Sequence, residues 1–244
     1  MSEQTLHVAC GQILCRAGDV EQNLEQVAQM SIMASRYGAR LALFPEAAIT
    51  GYLLTDEVLG KALSVTGPEL QALVKIARDH DIVIAAGTLE RDGDDLHVSH
   101  FIVLPDEEVI VQRKHNLTRK ELDAGIKPGP EDRSIFEVDG VKCGLLICAD
   151  TGINNIHNRL AELGVQLLCV PTAGGAGRQY MHHESDLTDP EEREKYIESM
   201  RKVCFVGDGM MKSYKNQMAL VATNLAGDDG VSNYHPGHSM IIDA

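Results

Sequence analysis

The chain has no tryptophan and only four phenylalanines, and aromatic residues make up 4% of its 244 residues. A surface that stacks nucleic-acid bases is hard to build from so few rings. Basic residues are also in short supply: 22 Lys and Arg stand against 36 Asp and Glu, a net charge of −14, with no dense basic stripe. Nucleic acid and anionic membrane are poor partners for such a chain, and neither is expected. No apolar run approaches the ~20 residues of a membrane span. The stretch Met1 to Cys15 lacks the basic and then apolar regions of a secretion signal. The expected setting is the cytoplasm, where the six cysteines stay reduced. None of them forms a C-x-x-C pair, so a structural zinc site is not expected, and most should simply fill the core.

What is present is an ordinary globular balance of 44% apolar and 24% charged residues. A chain of this length can bury about 70% of its unfolded surface. Residues 5 to 13 read as a strand, and Asp19 with Gln22 opens a helix to about Gly38 with Val20, Leu24, Val27 and Ser31 on its buried face. The apolar run 41–44, stopped by Pro45, is too short for a helix and reads as a buried strand. Thr66, Pro68 and Glu69 start a second helix to about His80. Strands at 82–89, 96–104 and 107–113 form a meander, 115–133 reads as loop, and 141–147 is a strongly apolar strand ending at Cys148. A helical spacing follows from Ile153 to Leu163, then strands at 165–170, 218–223 and 238–242. The alternation predicts one α/β domain over 1–244.

Glu46, Lys114 and Cys148 each follow directly on one of these strands, and sheet ends are where α/β sites are built. Cys148 also precedes a helix, whose N-terminal N–H groups would favour the thiolate and could hold an oxyanion. Taken singly, Cys148 could equally finish a core strand, and Glu46 and Lys114 could be solvated loop charges.

The segments LALFPEAAITGY around Glu46, QRKHNL around Lys114 and GLLICAD around Cys148 resemble, in that order, the three signature segments of the nitrilase superfamily of carbon-nitrogen hydrolases. The loop IKPG, the segment LGVQLLCVPTAGG and the late runs ATNLAGDDG and GHSMIID extend the resemblance to the end of the chain. It implies a four-layer α-β-β-α sandwich, with Cys148 as nucleophile, Glu46 as general base and Lys114 as the cation that stabilises the tetrahedral intermediate. It also implies Glu121 as a second glutamate orienting the lysine, and Tyr52, Ala149, Asp150, Thr172 and Ala173 against the substrate. The substrate class would be a small linear amide or N-carbamoyl compound, hydrolysed without a cofactor or metal by a homodimer or higher homo-oligomer. Glu90 and Glu131 read as surface charges beside Glu121.

Three departures bear on this reading. The nucleophile is followed by Ala149 and Asp150; Asp150 favours the amidase side over true nitrilases, but the small Ala149 replaces the usual aromatic. The polar stretch from Gly177 to Lys202 is longer than in compact relatives and could cap the pocket; His182, His183, Glu184 and Asp186 within it read as solvated residues ahead of a helix capped near Asp189, and His235 and His238 get the same reading. The chain stops at Ala244, before the usual last strand and tail, as a truncated or short member would. A non-catalytic binding module on the same fold, a nitrile hydrolase, and a Cys/His enzyme using His115 or His157 stand as alternatives.

Overall fold

The computed structural model describes residues 5–177, 188–194, 213, 215–228 and 233–243. In chain order the elements are β1 (Val8–Cys10), α1 (Val20–Arg36), β2 (Leu41–Leu43), α2 (Asp56–Leu59), α3 (Pro68–His80), β3 (Val83–Asp92), β4 (Asp95–Val103), β5 (Val109–Arg113) and α4 (Arg119–Asp123). There follow β6 (Ile135–Val138), β7 (Val141–Leu145), a 3₁₀ turn (Cys148–Gly152), α5 (Ile156–Glu162), β8 (Leu167–Thr172), β9 (Ala176–Gly177), β10 (Ala219–Asn224), β11 (Ala226–Asp228), β12 (Asn233–Pro236) and β13 (Met240–Ile242).

Two five-stranded sheets result. The first has the order β1-β2-β3-β4-β5, parallel across β1, β2 and β3 and antiparallel across β3, β4 and β5. The second has the order β13-β10-β8-β7-β6, with β10, β8 and β7 parallel and antiparallel strands at both edges. Alternate residues of each strand point to opposite faces, and here both faces are covered. Leu41 and Leu43 of β2, Leu89 of β3 and Ile102 of β4 meet Cys143, Leu145, Leu167 and Cys169 of the second sheet in a shared core. On the far side of the first sheet, Ala42, Ile84 and Phe101 pack under Val27 of α1 and Leu70, Leu73 and Ala77 of α3. On the far side of the second, Leu168, Val170 and Leu220 pack under Ile156 and Leu160 of α5. The layers are therefore α-β-β-α, and burial on both faces explains why the central strands read as continuous apolar runs rather than alternating ones. Each fully buried Leu, Ile or Phe contributes about 1.5–3 kcal/mol relative to exposure.

Local chemistry sets the element ends. The Asp19 side chain accepts from the Gln22 N–H at 3.3 Å and starts α1 as expected. The start of α3 differs: Gly67 is its N-cap, with Pro68 in the first turn and no side-chain cap. The segment 115–133 is not all loop, because Thr118 and Glu121 form a reciprocal capping box that nucleates α4. Among the described residues no helix is long and apolar enough to cross a membrane.

Candidate active site

The chain leaves β2 through Phe44, Pro45 and Glu46 and turns at Ala47, which sits at φ 53°. The turn lies flat on β3: the Phe44 N–H donates to the Ala85 carbonyl at 2.8 Å and the Ile49 N–H to the Gly87 carbonyl at 3.0 Å. Only glycine fits at 87, since a Cβ there would fall 2.4 Å from the Ala47 nitrogen and 2.5 Å from the Pro45 oxygen. Asn23 of α1 holds the far end of the turn, donating to the Arg16 carbonyl at 2.7 Å and the Ile49 carbonyl at 3.0 Å. The second sheet supplies the remaining support: the Glu46 N–H donates to the Thr172 carbonyl at 3.3 Å, and the Ala173 N–H donates to Glu46 Oε2 at 3.0 Å.

Lys114 extends β5 by one residue, its N–H donating to the Val98 carbonyl at 2.8 Å while its own carbonyl accepts from the Gly129 N–H at 2.8 Å. Cys148 lies three residues past β7 at φ 48°. A left-handed backbone costs an L-residue roughly 1–2 kcal/mol, and this conformation turns the chain sharply out of the strand at the thiol. The helix expected after Cys148 is a short 3₁₀ turn, and α5 begins only at Ile156.

These side chains meet. Lys114 Nζ donates to Glu46 Oε1 and to Glu121 Oε1, each at 2.7 Å, and all three side chains are at most 1% exposed. The Cys148 thiol lies near enough to the Glu46 carboxyl for each to shift the proton affinity of the other. Tyr52 donates its hydroxyl to Glu121 Oε1 at 2.8 Å. The other oxygen of Glu121 accepts from the Thr118 N–H at 2.6 Å, so one carboxylate caps α4 and grips the lysine.

Burial pushes the Glu46 carboxyl above the usual carboxylate range, with the Lys114 ammonium opposing and the Glu121 charge assisting. Burial alone would drive the Lys114 ammonium down, but the charges of Glu46, Cys148 and Glu121 outweigh it and hold its pKa above the ordinary lysine value. Burial, followed by the Glu46 charge, raises the Cys148 thiol well above its ordinary value. The thiolate preference expected from a helix N-terminus is thus overturned: a five-residue 3₁₀ turn supplies little dipole, whereas desolvation and an adjacent carboxylate are close at hand. The sulfur thus holds its proton more tightly than an exposed thiol does, beside a carboxyl whose proton affinity is also raised.

A cavity of about 470 Å³ adjoins this cluster, lined by Tyr52, Leu53, Leu54, Lys120, Asp123, Ala124, Ala173, Gly175, Asn233 and His235. Its size suits a small molecule. A second cavity, of about 550 Å³ between β1 and α1, is lined by none of the site residues. Of the residues expected against a substrate, Tyr52 and Ala173 line the first cavity and Ala149 is half-buried beside Cys148. Thr172 does not line it, because its hydroxyl donates to the Thr223 carbonyl at 3.1 Å. Asp150 is fully buried, with both carboxylate oxygens engaged by protein donors.

Glu90, read as a surface charge, is fully buried and bidentate to Arg113, while Glu131 is exposed. His235, read as solvated, is buried on the cavity wall with Nδ1 3.2 Å from the Gly174 carbonyl. The 115-ring is turned away to the Gly129 carbonyl at 2.8 Å. His182, His183, Glu184 and Asp186 lie outside the described residues, among which no cluster of three or more His, Cys, Asp or Glu could hold a metal ion. The wall residues Leu53, Leu54, Lys120 and Asp123 carry no sequence signal of their own; the Thr118-x-x-Glu121 capping pattern, passed over when 115–133 is read as loop, is the signal that could have found the helix presenting the last two.

The carbon-nitrogen hydrolase family profile matches residues 7–244, and the chain belongs to that family. It is 32% identical over 173 residues, 70% of this chain and 60% of the relative, to a protein of Pseudomonas protegens described as a hydrolase in the pqqF 5′ region. It is 24% identical over 201 residues, 82% of this chain and 72% of the relative, to an (R)-stereoselective amidase of a Pseudomonas species. A nitrilase of Pyrococcus abyssi is 30% identical over 62% of this chain, a stretch spanning 58% of that relative. The chain thus matches about three-fifths of the length of two of these relatives. Among solved structures, an amidase from Nesterenkonia superposes with a TM-score of 0.79 at 21% identity, over all of this chain and 84% of that one. A carbon-nitrogen hydrolase superfamily protein from Xanthomonas campestris, with an arsenic adduct in its active site, gives 0.77 at 17% identity over 98% of this chain and 83% of that one. Both share the fold.

Proposed function

We propose that the chain hydrolyses the carbon-nitrogen bond of a small linear amide or N-carbamoyl compound through a thioester on Cys148. The observation that carries this reading is the buried chain of contacts from Glu121 through Lys114 to Glu46 and on to the thiol. An amide carbonyl is a poor electrophile and its amine a poor leaving group, so the reaction needs a nucleophile, a base that returns its proton, and a charge for the oxyanion. As Cys148 Sγ bonds to the carbonyl carbon, its proton passes to Glu46. The C=O electron pair moves onto oxygen, held by the Lys114 ammonium and the Ala149 N–H. When the C–N bond breaks, Glu46 gives the proton to the departing nitrogen, leaving the thioester. Water then donates a proton to Glu46 as its oxygen attacks, the C–S bond breaks, and the proton returns to sulfur. Glu121 keeps Lys114 charged and oriented, and its hydrogen bond from Tyr52 links that task to the cavity wall.

The raised proton affinity of both Glu46 and Cys148 supports base-assisted attack by a thiol over attack by a preformed thiolate. The names of the amidase relatives favour amides, and Asp150 two residues after the nucleophile points the same way. Ammonia release from linear amides, N-carbamoyl amino acids, carbamoyl amines and nitriles tests the proposal, with wild type and Cys148→Ala at equal folded concentration. Release by wild type alone is expected. Release that survives the substitution removes the nucleophile, silence across the panel favours a binding module, and release from nitriles alone moves the chain to the nitrilase branch.

A further inference from the structure

The strand end that carries Lys114 and the turn that carries Cys148 belong to different sheets, yet the reaction proposed above requires them in register to a fraction of an ångström. Asp150 sits between the two. Its Oδ1 accepts from the His115 N–H at 3.0 Å and from the Asn116 N–H at 2.8 Å, the two peptide groups directly after Lys114. Its Oδ2 accepts from the Ile147 N–H at 3.3 Å, directly before Cys148, and from Arg133 Nη1 at 2.8 Å. The same Nη1 donates to the Arg113 carbonyl at 3.1 Å, directly before Lys114. The Asn116 side chain closes the loop by donating to the Ala149 carbonyl at 2.7 Å. Both partners of the Asp150–Arg133 pair have fully buried side chains.

We infer that Asp150, backed by Arg133, is the positioning pair of this site, fixing the residues on either side of Lys114 to the residues on either side of Cys148. It does not touch the reacting atoms, and it acts through the lysine and the thiol. The inference rests on the reading of Cys148 as nucleophile. An aspartate is required because four donors converge on it. An asparagine has one acceptor oxygen and one NH₂ group, so it can serve either the His115/Asn116 side or the Ile147/Arg133 side, and on the other side donor faces donor. One half of the tie must open, and Lys114 then drifts relative to the sulfur.

The test is alkylation of Cys148 by iodoacetamide, followed by mass spectrometry of its peptide from neutral to alkaline pH, in wild type, Asp150→Asn and Arg133→Lys, with melting curves on each. Misplacement by about 1 Å is worth about 100-fold, so folded Asp150→Asn should be alkylated about 100-fold more slowly at neutral pH. The gap should close under alkaline conditions, where the thiol ionises without help from Glu46 and Lys114. For whichever amide the wild type hydrolyses, kcat should fall with KM unchanged. Arg133→Lys keeps the charge but loses the Nε and Nη2 donations to the Glu131 and Pro130 carbonyls that hold the guanidinium in place, and should show the same pattern to a smaller degree. A folded Asp150→Asn protein alkylated at the wild-type rate, or slowed equally at every pH, overturns the inference. If Asp150→Asn does not fold, a wild-type rate in Arg133→Lys overturns it instead. Resistance of wild-type Cys148 itself to neutral alkylation would instead sink the nucleophile assignment on which the inference stands.

Discussion

Replacing Lys114 with methionine keeps the length of the side chain and removes the cation that bridges Glu46 and Glu121. Both carboxylates lie 2.7 Å from the ammonium and are at most 1% exposed, so solvent cannot take over its role. Deleting one partner of a buried ion pair costs about 3–5 kcal/mol, which for a chain of 244 residues corresponds to about 6–20 °C in melting temperature. The deficit should depend on pH. Without the lysine, the proton affinity of Glu46, already raised by burial above the unfolded value of about 4.3, rises further. A carboxyl whose folded pKa is raised contributes stability that is present below the unfolded pKa and lost as pH rises through the folded one. The variant should therefore be weakest at neutral pH and recover toward the parent as the medium becomes acidic. Turnover should fall about 100- to 1000-fold with the loss of an oxyanion donor. Urea melts at acid and neutral pH, run beside ammonia release, measure both effects. A Lys114→Met protein that melts like the parent at both pH values and still turns over would refute the claim that this lysine compensates two buried carboxylates.

Gly87→Ala should destabilise by about 1–3 kcal/mol and depress turnover at the same time, because its new methyl group meets the backbone of Pro45, Glu46 and Ala47 rather than a movable side chain; a fully active variant would show that the Glu46 turn can shift without harm. His100, wholly buried in β4, has its pKa pushed down to about 3 by burial. Its folded pKa lies below the unfolded value of about 6.5, so protonation favours the unfolded chain and stability is lost as pH falls between those limits. That amounts to about 2 kcal/mol by about pH 5. His100→Gln should flatten the acid limb of a stability–pH curve, and an unchanged limb would count against the assignment.

The parts of the fold and site that could be read from sequence are those where a single local rule decides the outcome. Apolar runs at 41–44 and 141–147 had to be strands buried on both faces, and the residues that follow them, Glu46 and Cys148, had to emerge at sheet ends. Lys114 was legible for the same reason. Asp150, by contrast, was read as facing a substrate because it stands two residues from the nucleophile; its true partners are at positions 115, 116, 133 and 147, and no spacing rule connects those. Glu90 looked like a surface charge because its partners, Arg113 and Ser99, lie across antiparallel strand pairs. Helix α4 was missed although its capping box was visible, since loop signals at Gly125, Pro128 and Gly129 dominated the window. The Cys148 thiol was misjudged because desolvation depends on the whole fold, while a helix dipole can be guessed from a few residues.

The cluster draws Glu46 and Lys114 from the ends of β2 and β5 in the first sheet, and Cys148 and Ala173 from the ends of β7 and β8 in the second. In the reaction proposed above, a proton passing from sulfur to Glu46 crosses the seam between two layers that, among the described residues, are joined by side-chain packing and a few polar ties. Neither sheet alone carries both the Cys148 thiol and the Glu46 carboxyl. Slippage of one layer past the other by a single side chain would leave every strand paired and every helix formed, yet would part the acid from the thiol. The turnover proposed for this chain would thus gauge sheet-to-sheet alignment, and substitutions in the apolar seam between Leu43 and Cys169 should lower it without unfolding the strands.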